Sequence, residues 1–214
     1  MSPGNGTADF SVLGALEALV GSECHEDSVS AEKALKPLKL IDKEIPSYVI
    51  PIEAAWAAQL FDDELANSDL FGATPDLMFR DTNVYYRSPR LCDLRFPARI
   101  LWYVKADPRK RGTMAIRGCS YLDEVIVDTA KNVFSRYQRF GVYHWRDIVQ
   151  IEARSREKKV MALVFSNSER FNKPVPLARV HDIMQDLGFR KNQFQSPVAI
   201  KHPGFINLYR EGWL

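Results

Sequence analysis

The sequence predicts an α+β fold: a small mixed β-sheet or half-open barrel of five to six strands with flanking helices. Three observations carry this reading. Short β-forming runs recur between residues 47 and 200, helical stripes stand among them without regular alternation, and no segment repeats. Strict strand–helix alternation would have indicated a parallel sheet, and strands alone a sandwich.

The elements follow in order. Phe10, Leu13, Leu16, Leu19 and Val20 recur at helical spacing, and Gly21-Ser22 stops the pattern. Residues 22–46 are polar and charged, with a short helix expected near Ser30–Leu38. Residues 1–46 therefore read as a helical appendage and linker, and residues 47–214 as the main domain. Tyr48-Val49-Ile50-Pro51-Ile52 is the first strand. The stripe Ala54, Trp56, Ala57, Leu60, Phe61 and Leu65 makes Glu53–Leu65 a helix.

A loop around Gly72–Pro75 leads to the aromatic segment Val84-Tyr85-Tyr86-Arg87-Ser88-Pro89, and then to Arg99–Val104, a strand apolar on both faces. Pro108–Gly112 is a basic turn, and Thr113–Val127 gives one long or two short strands around Gly118. Thr129 caps a helix that Gly141 ends. Val149–Ala153 and Val160–Phe165 are expected as two strands joined by the charged stretch Arg154–Lys159. Phe171–Leu177 is extended because its prolines forbid helix. Ala178–Leu187 is a helix closed by Gly188, Ser196–Ile200 a last strand and Pro203–Arg210 a last short helix.

Composition narrows the class. The chain has 214 residues, 46% hydrophobic and 26% charged, enough for one well-buried core and too apolar for disorder. No apolar run approaches the roughly 18–20 residues needed to cross a bilayer, so no membrane partner is expected. The first charges, Asp9 and Glu17, are acidic, so no secretory signal is expected. Cys24, Cys92 and Cys119 are odd in number and far apart, which fits a reducing, cytoplasmic compartment and neither a disulfide framework nor a zinc site.

The net charge of +2 hides an asymmetry. Residues 1–94 hold 7 Lys+Arg and 16 Asp+Glu, and residues 95–214 hold 22 and 11, a balance of −9 against +11. The stretch from Arg95 to Lys159 alone has 15 basic and 7 acidic residues. Such a split points to a polyanion-facing side, or to acidic and basic parts that neutralise each other in the fold.

The common catalytic signatures are missing. No glycine loop cradles phosphate, no Gly-x-Ser-x-Gly turn presents a nucleophile, and His144, His181 and His202 are scattered, so no metal or cofactor is expected. Two clusters remain. The first is Tyr85-Tyr86-Arg87-Ser88-Pro89-Arg90 with Trp102-Tyr103-Val104-Lys105, where rings beside cations suit an unstacked base and its phosphate. Trp102 and Tyr103 point to opposite faces of their strand, so one is expected in the core and the other in a pocket. The second is Phe140–Asp147. There His144, Arg146 and Asp147 read either as an acid–base set or, preferably, as a helix-to-strand turn anchored by Tyr143 and Trp145. The basic turn with Arg109, Lys110 and Arg111 and the stretch Arg154–Lys159 are phosphate-contact candidates.

The order of segments over about residues 47–211 resembles the PUA-like superfamily, nearest to its EVE-type branch, with the ASCH-type and YTH-type branches as cousins. The resemblance lies in the strand Ser47–Glu53 leading into a Trp-bearing helix and in the Val-Tyr-Tyr-Arg segment. It continues in the textures of Arg99–Lys105 and Ala162–Leu177, and in Gln195–Ile200 before a short helix. Of the EVE-type Lys-Ser-Glu-Pro stretch only Glu53 corresponds, and Asn83–Ser88 matches the Arg-Asn-Tyr-Gln-Ala-Arg segment in an aromatic and one arginine. The ASCH-type Gly-x-Lys-x-x-Glu-x-Arg pattern is absent.

The resemblance implies a small pseudo-barrel that accepts a flipped, often modified, base of RNA or DNA. Its pocket is expected from Glu53, Tyr85, Tyr86, Trp102, Tyr103 and Lys105, with Arg87, Arg109, Lys110 and Arg111 on the backbone. The alternatives are an ASCH-like ribonuclease or modified-nucleoside amidohydrolase, and a protein-interaction module docking through the acidic N-terminal half.

Overall fold

In the computed structural model, described for residues 24–67, 81–89, 93–140 and 142–214, the chain begins with α1 (His25–Ala34), β1 (Ser47–Ile52), α2 (Ala54–Leu60) and α3 (Asp63–Asn67). β2 (Thr82–Arg87), β3 (Ala98–Val104), β4 (Ala115–Asp128), α4 (Ala130–Tyr137) and α5 (Trp145–Arg154) follow. β5 (Val160–Pro176), α6 (Leu177–Asp186), β6 (Val198–Ile200) and α7 (His202–Trp213) complete it. The expected helix over Phe10–Val20, the Gly72–Pro75 loop and Cys92 lie outside the described residues. No helix among the described residues is long and apolar enough to cross a membrane.

The six strands form one sheet in the order β2-β5-β4-β3-β1-β6, so the fold is α+β with a mixed sheet, as expected. β1 and β3 run parallel and the other neighbours antiparallel. The sheet does not close into a barrel. Its central strands are apolar on both faces because both faces are covered. Tyr48, Ile50 and Ile52 of β1 join Ile100, Trp102 and Val104 of β3 in the larger core, while Val49, Leu101 and Tyr103 face a second core under α6 and α7.

Curvature comes from the two long strands. β4 and β5 span 14 and 17 residues, and their pairing shifts register three times. Each such irregularity bends and twists a strand. Gly118 lies at one of them, opposite Trp102, where a Cβ would meet the Glu169 carbonyl oxygen at 2.6 Å. Only glycine permits that approach. The curl carries β2 round until Tyr85 meets the Trp102 ring, three strands along the sheet order, at 5.8 Å.

Four sequence expectations change. Val149–Ala153 is not a strand but the end of α5: Ile148 is buried with Ile151 one turn on, and the Asp147 carboxylate accepts the His144 N–H at 2.9 Å. Glu53–Leu65 breaks at Asp62, whose carboxylate accepts from the Leu65 N–H at 3.1 Å and holds the buried Arg117. β5 joins Val160–Phe165 and the extended Phe171–Pro176 stretch into one bent strand. The helix expected near Ser30–Leu38 begins earlier, at His25.

Residues 24–46 are tied to the sheet by buried charges. Glu32 and Arg99 are each 1% exposed and form a bidentate pair. Tyr121 Oη donates to Glu32 at 3.0 Å, the Leu40 N–H donates to it at 2.6 Å, and Arg99 donates to the Leu40 carbonyl at 2.9 Å. Beside them Lys39 pairs with Glu169 at 2.7 Å, and Tyr209 Oη donates to the same carboxylate at 2.7 Å. Breaking a buried pair on one side leaves an uncompensated charge. Glu32→Ala or Arg99→Ala is therefore expected to cost about 3–5 kcal/mol in urea denaturation. The double variant Glu32→Leu/Arg99→Met is expected to lose clearly less than either single change.

Candidate functional site

Parallel pairing brings the ends of β1 and β3 together: Ile52 aligns with Val104, and the Lys105 N–H donates to the Ile52 carbonyl at 2.9 Å. The next residue of each chain segment is charged. Lys105 Nζ lies 2.7 Å from Glu53 Oε1, with the two side chains 31% and 53% exposed. Glu53 is also the residue that leads into α2, in extended conformation.

The curl of the sheet brings β2 to the same place. Tyr85 is buried, and burial pushes its phenol up to about 12; the Arg87 guanidinium opposes the rise and the Glu53 carboxylate adds to it. Trp56 of α2 stacks on Tyr143 at 3.8 Å between ring centroids and 23° between planes. Tyr143 also meets Tyr86 edge-on at 5.0 Å and Tyr85 at 6.4 Å. These two rings belong to consecutive residues of β2, so Tyr143 reaches both faces of the sheet's edge strand. Among the described residues no group bonds the buried hydroxyl of Tyr86, while that of Tyr143 lies against the Tyr86 backbone. Burial raises the pKa of both phenols, that of Tyr143 most strongly.

The result is a seam between the β2 edge and the ends of β1 and β3. It carries a carboxylate (Glu53), an ammonium (Lys105) and a half-buried guanidinium (Arg87) against the rings of Tyr85, Tyr86, Tyr143 and Trp56. A carboxylate beside an ammonium presents an acceptor and a donor side by side, which is what the edge of a nucleobase offers in complement. Among the described residues no three His, Cys, Asp or Glu side chains gather to hold a metal ion.

Of the residues expected at the pocket, Glu53, Arg87 and Lys105 lie here with part of their surface open, Tyr85 and Tyr86 lie beneath them as buried members of the larger core, and others lie elsewhere. Trp102 is 0% exposed, enclosed by Phe61, Tyr85 and Phe165, with its indole N–H donating to Ser120 Oγ at 2.8 Å, so no ring face is open. Tyr103 points to the opposite side and packs on Phe194 at 5.2 Å in the second core. The expectation that one of these two lines a pocket is thus corrected: both are core. Lys110 is 9% exposed and donates to the Leu65 carbonyl at 3.1 Å, so it serves the fold. Arg109 and Arg111 are exposed on the turn that begins after Lys105, Arg109 lying 3.4 Å from Asp107.

Trp56 and Tyr143 were not expected at the site; Trp56 read as an apolar stripe and Tyr143 as a turn anchor. The carboxylate of Asp147 takes the His144 backbone N–H and not its imidazole, which speaks against an acid–base set, and the expected helix-to-strand turn is corrected to a turn between two helices.

The charge asymmetry is partly internal. Glu53–Lys105, Glu32–Arg99, Asp62–Arg117, Glu64–Arg117 and Asp63–Arg170 each join an acid from residues 1–94 to a base from residues 95–214. Five of the 16 acids of residues 1–94 are thereby engaged within the molecule, while Lys33–Asp123 and Lys39–Glu169 pair in the opposite sense. Exposed cations such as Arg109, Arg111, Lys131, Arg146 and Arg154 remain as the outward-facing excess.

Two of the cavities that lie elsewhere among the described residues bear on the choice of site. One of about 390 Å³ is lined by Asp81, Thr82, Arg139 and Phe140 at the start of β2. The other, about 380 Å³ and almost wholly apolar, lies among Pro37, Tyr209, Arg210, Trp213 and Leu214. The second offers little to read the polar edge of a base.

The sequence matches no protein-family model, and no curated protein resembles it significantly in sequence. The solved structures similar to it include ASCH from Zymomonas mobilis, at 17% identity and a TM-score of 0.53, covering 76% of this chain and 92% of that one. Two single-substitution mutants of that protein match similarly, at 16% identity with TM-scores of 0.53 and 0.54. The likeness is one of fold, the PUA-like fold expected from the segment order.

The buried phenols predict a pH response. Tyrosines ionise near 10 in an unfolded chain, whereas Tyr85 and Tyr137 hold their protons to about 12 in the fold. The folded state then binds more protons than the unfolded one above pH of about 10, so stability is full below that pH and falls as pH climbs toward about 12. Thermal denaturation across this range is expected to show the fall, and Tyr85→Phe to make it shallower. A flat profile would contradict the placement of these phenols.

Proposed function

We propose that the chain is a nucleic-acid-binding module that takes one unstacked base of single-stranded RNA or DNA at the seam. The observation that supports it best is the meeting of Glu53, Lys105 and Arg87 with Tyr85, Tyr143 and Trp56 on a PUA-like fold. Glu53 accepts from an exocyclic amino or ring N–H group of the base, and Lys105 donates to the neighbouring acceptor. The half-buried Trp56 and the hydroxyls of Tyr86 and Tyr143 complete the surroundings. Extruding a base costs a few kcal/mol, and ring contact worth about 1–3 kcal/mol together with two edge hydrogen bonds offsets it. A methyl modification on the base adds apolar contact of about 0.8 kcal/mol. Arg87, Arg109 and Arg111 hold the backbone.

Kinship with the EVE-type branch is part of this proposal and rests on Glu53 after β1 and on the aromatic β2. So is a reducing, cytoplasmic setting, which the odd number and wide spacing of Cys24, Cys92 and Cys119 fit.

Titration of fluorescent single-stranded RNA and DNA at low salt tests the reading. Affinity is expected to fall with rising salt by about 0.7 log units per log unit for each phosphate contact. Lys105→Gln and Glu53→Gln are each expected to weaken binding by about tenfold or more, with Glu53→Gln also changing which base is preferred. No binding by the wild-type protein, or variants that bind as it does, would sink the proposal.

A further inference from the structure

A second aromatic ring stands next to the seam and takes no part in it. α4 and α5 pack antiparallel: the Ala130 N–H at the start of α4 donates to Glu152 near the end of α5 at 2.7 Å, and Phe134 meets Trp145 at the start of α5 at 5.4 Å. Ile148 of α5 is fully buried, while Trp145 and Val149, one turn apart on the outer face, stay 45% and 36% exposed. Trp145 is the most exposed of the four tryptophans, and it follows by two residues the Tyr143 ring that stacks on Trp56.

Cations outnumber carboxylates around it: residues 129–159 hold eight Lys+Arg and three Asp+Glu. Arg146, next to Trp145, and Lys131, one helical turn before Phe134, are exposed and make no ion pair among the described residues; Arg154 closes α5. Both carboxylates of α5 are engaged, Asp147 by the His144 N–H and Glu152 by the Ala130 N–H. The outer face of this helix pair is thus a small apolar strip with exposed cations in excess, complementary to a base and its phosphates.

We infer that Trp145, with Arg146 and Lys131, forms a second nucleotide subsite. The Trp145 ring stacks the base adjacent to the one at the seam, and the two cations take the phosphates that join them. Because Tyr143 and Trp145 are two extended residues apart, about 7 Å of chain, consecutive nucleotides of an unstacked strand reach both. This rests on the base-binding reading of the seam and adds to it the class of ligand: a single strand of several nucleotides, not a free nucleoside or a duplex.

The test uses the full chain, a length series of fluorescent single-stranded oligonucleotides and unlabelled mononucleotides as competitors. Trp145→Ala is expected to lower oligonucleotide affinity by about tenfold or more and to leave mononucleotide competition unchanged, with Trp145→Phe recovering much of the loss. Arg146→Gln is expected to make the salt dependence shallower by about 0.7. Trp145→Ala that binds oligonucleotides as the wild type does overturns the inference, and if Glu53→Gln still weakens binding the seam reading survives. A change in oligomeric mass on Trp145→Ala, with oligonucleotide affinity unchanged, assigns the ring to a protein contact and overturns it too. Wild-type protein that binds no oligonucleotide overturns both.

Discussion

Trp102 holds the two sides of the seam together. Its ring is met by Phe61 after α2, Tyr85 of β2 and Phe165 of β5, and its N–H is fixed on Ser120, whose hydroxyl is shared with Ser168 at 2.8 Å. The neighbouring strands β2 and β5 and the end of α2 therefore close on one side chain of β3. An open six-stranded sheet would otherwise leave β2 and β1 at a distance. With Trp102 in the concave core, the β2 edge is drawn to the ends of β1 and β3, and Tyr85 arrives beside Glu53. A fully buried indole contributes several kcal/mol through packing and area removed from water. The position of the site is thus a consequence of core packing.

Charge completes what the core begins. Arg117, lying in the sheet, binds Asp62 between α2 and α3 and reaches Glu64 at 2.8 Å, so the helices that follow Glu53 are locked to β4. On the other face Glu32 with Arg99 and Lys39 with Glu169 lock residues 24–46 to β3 and β5. Buried pairs of this kind are costly to desolvate and are worth more as constraints on arrangement than as net stability. The Arg99 and Arg117 pairs join acids of residues 1–94 to bases of residues 95–214, whereas Lys39–Glu169 runs the other way. What they leave outward is a set of cations on the β3–β4 turn and on the α4–α5 pair, on either side of the aromatic seam in the sequence.

Much of this was legible in the sequence for simple reasons. β1 and β3 were evident because both faces are covered, which makes their residues apolar without alternation. Glu53 and Lys105 stood out as the first charges after those strands. Alternation placed Trp102 and Tyr103 on opposite faces but could not say that helices cover the second face, so one of them was assigned to a pocket that neither lines. Val149–Ala153 misled because a short apolar run fits strand or helix equally, and the cap that decides it comes from Asp147 with a histidine in the capping position. Glu32 and Lys110 resemble surface charges in sequence. Their burial depends on Arg99 and on the Leu65 carbonyl, distant partners that no local pattern reveals.

The central claim is that the seam, and not the apolar groove at α7, receives the nucleic acid. The four tryptophan indole N–H signals in a proton–nitrogen correlation spectrum report on it directly, because Trp56 lies at the seam, Trp145 beside it, Trp102 in the core and Trp213 at the groove. On addition of a single-stranded oligonucleotide at low salt, the signal of Trp56 is expected to move most, with Trp145 following, Trp102 moving little and Trp213 not at all. A spectrum in which Trp213 moves while Trp56 stays fixed, or in which none of the four responds at saturating oligonucleotide, would contradict the account.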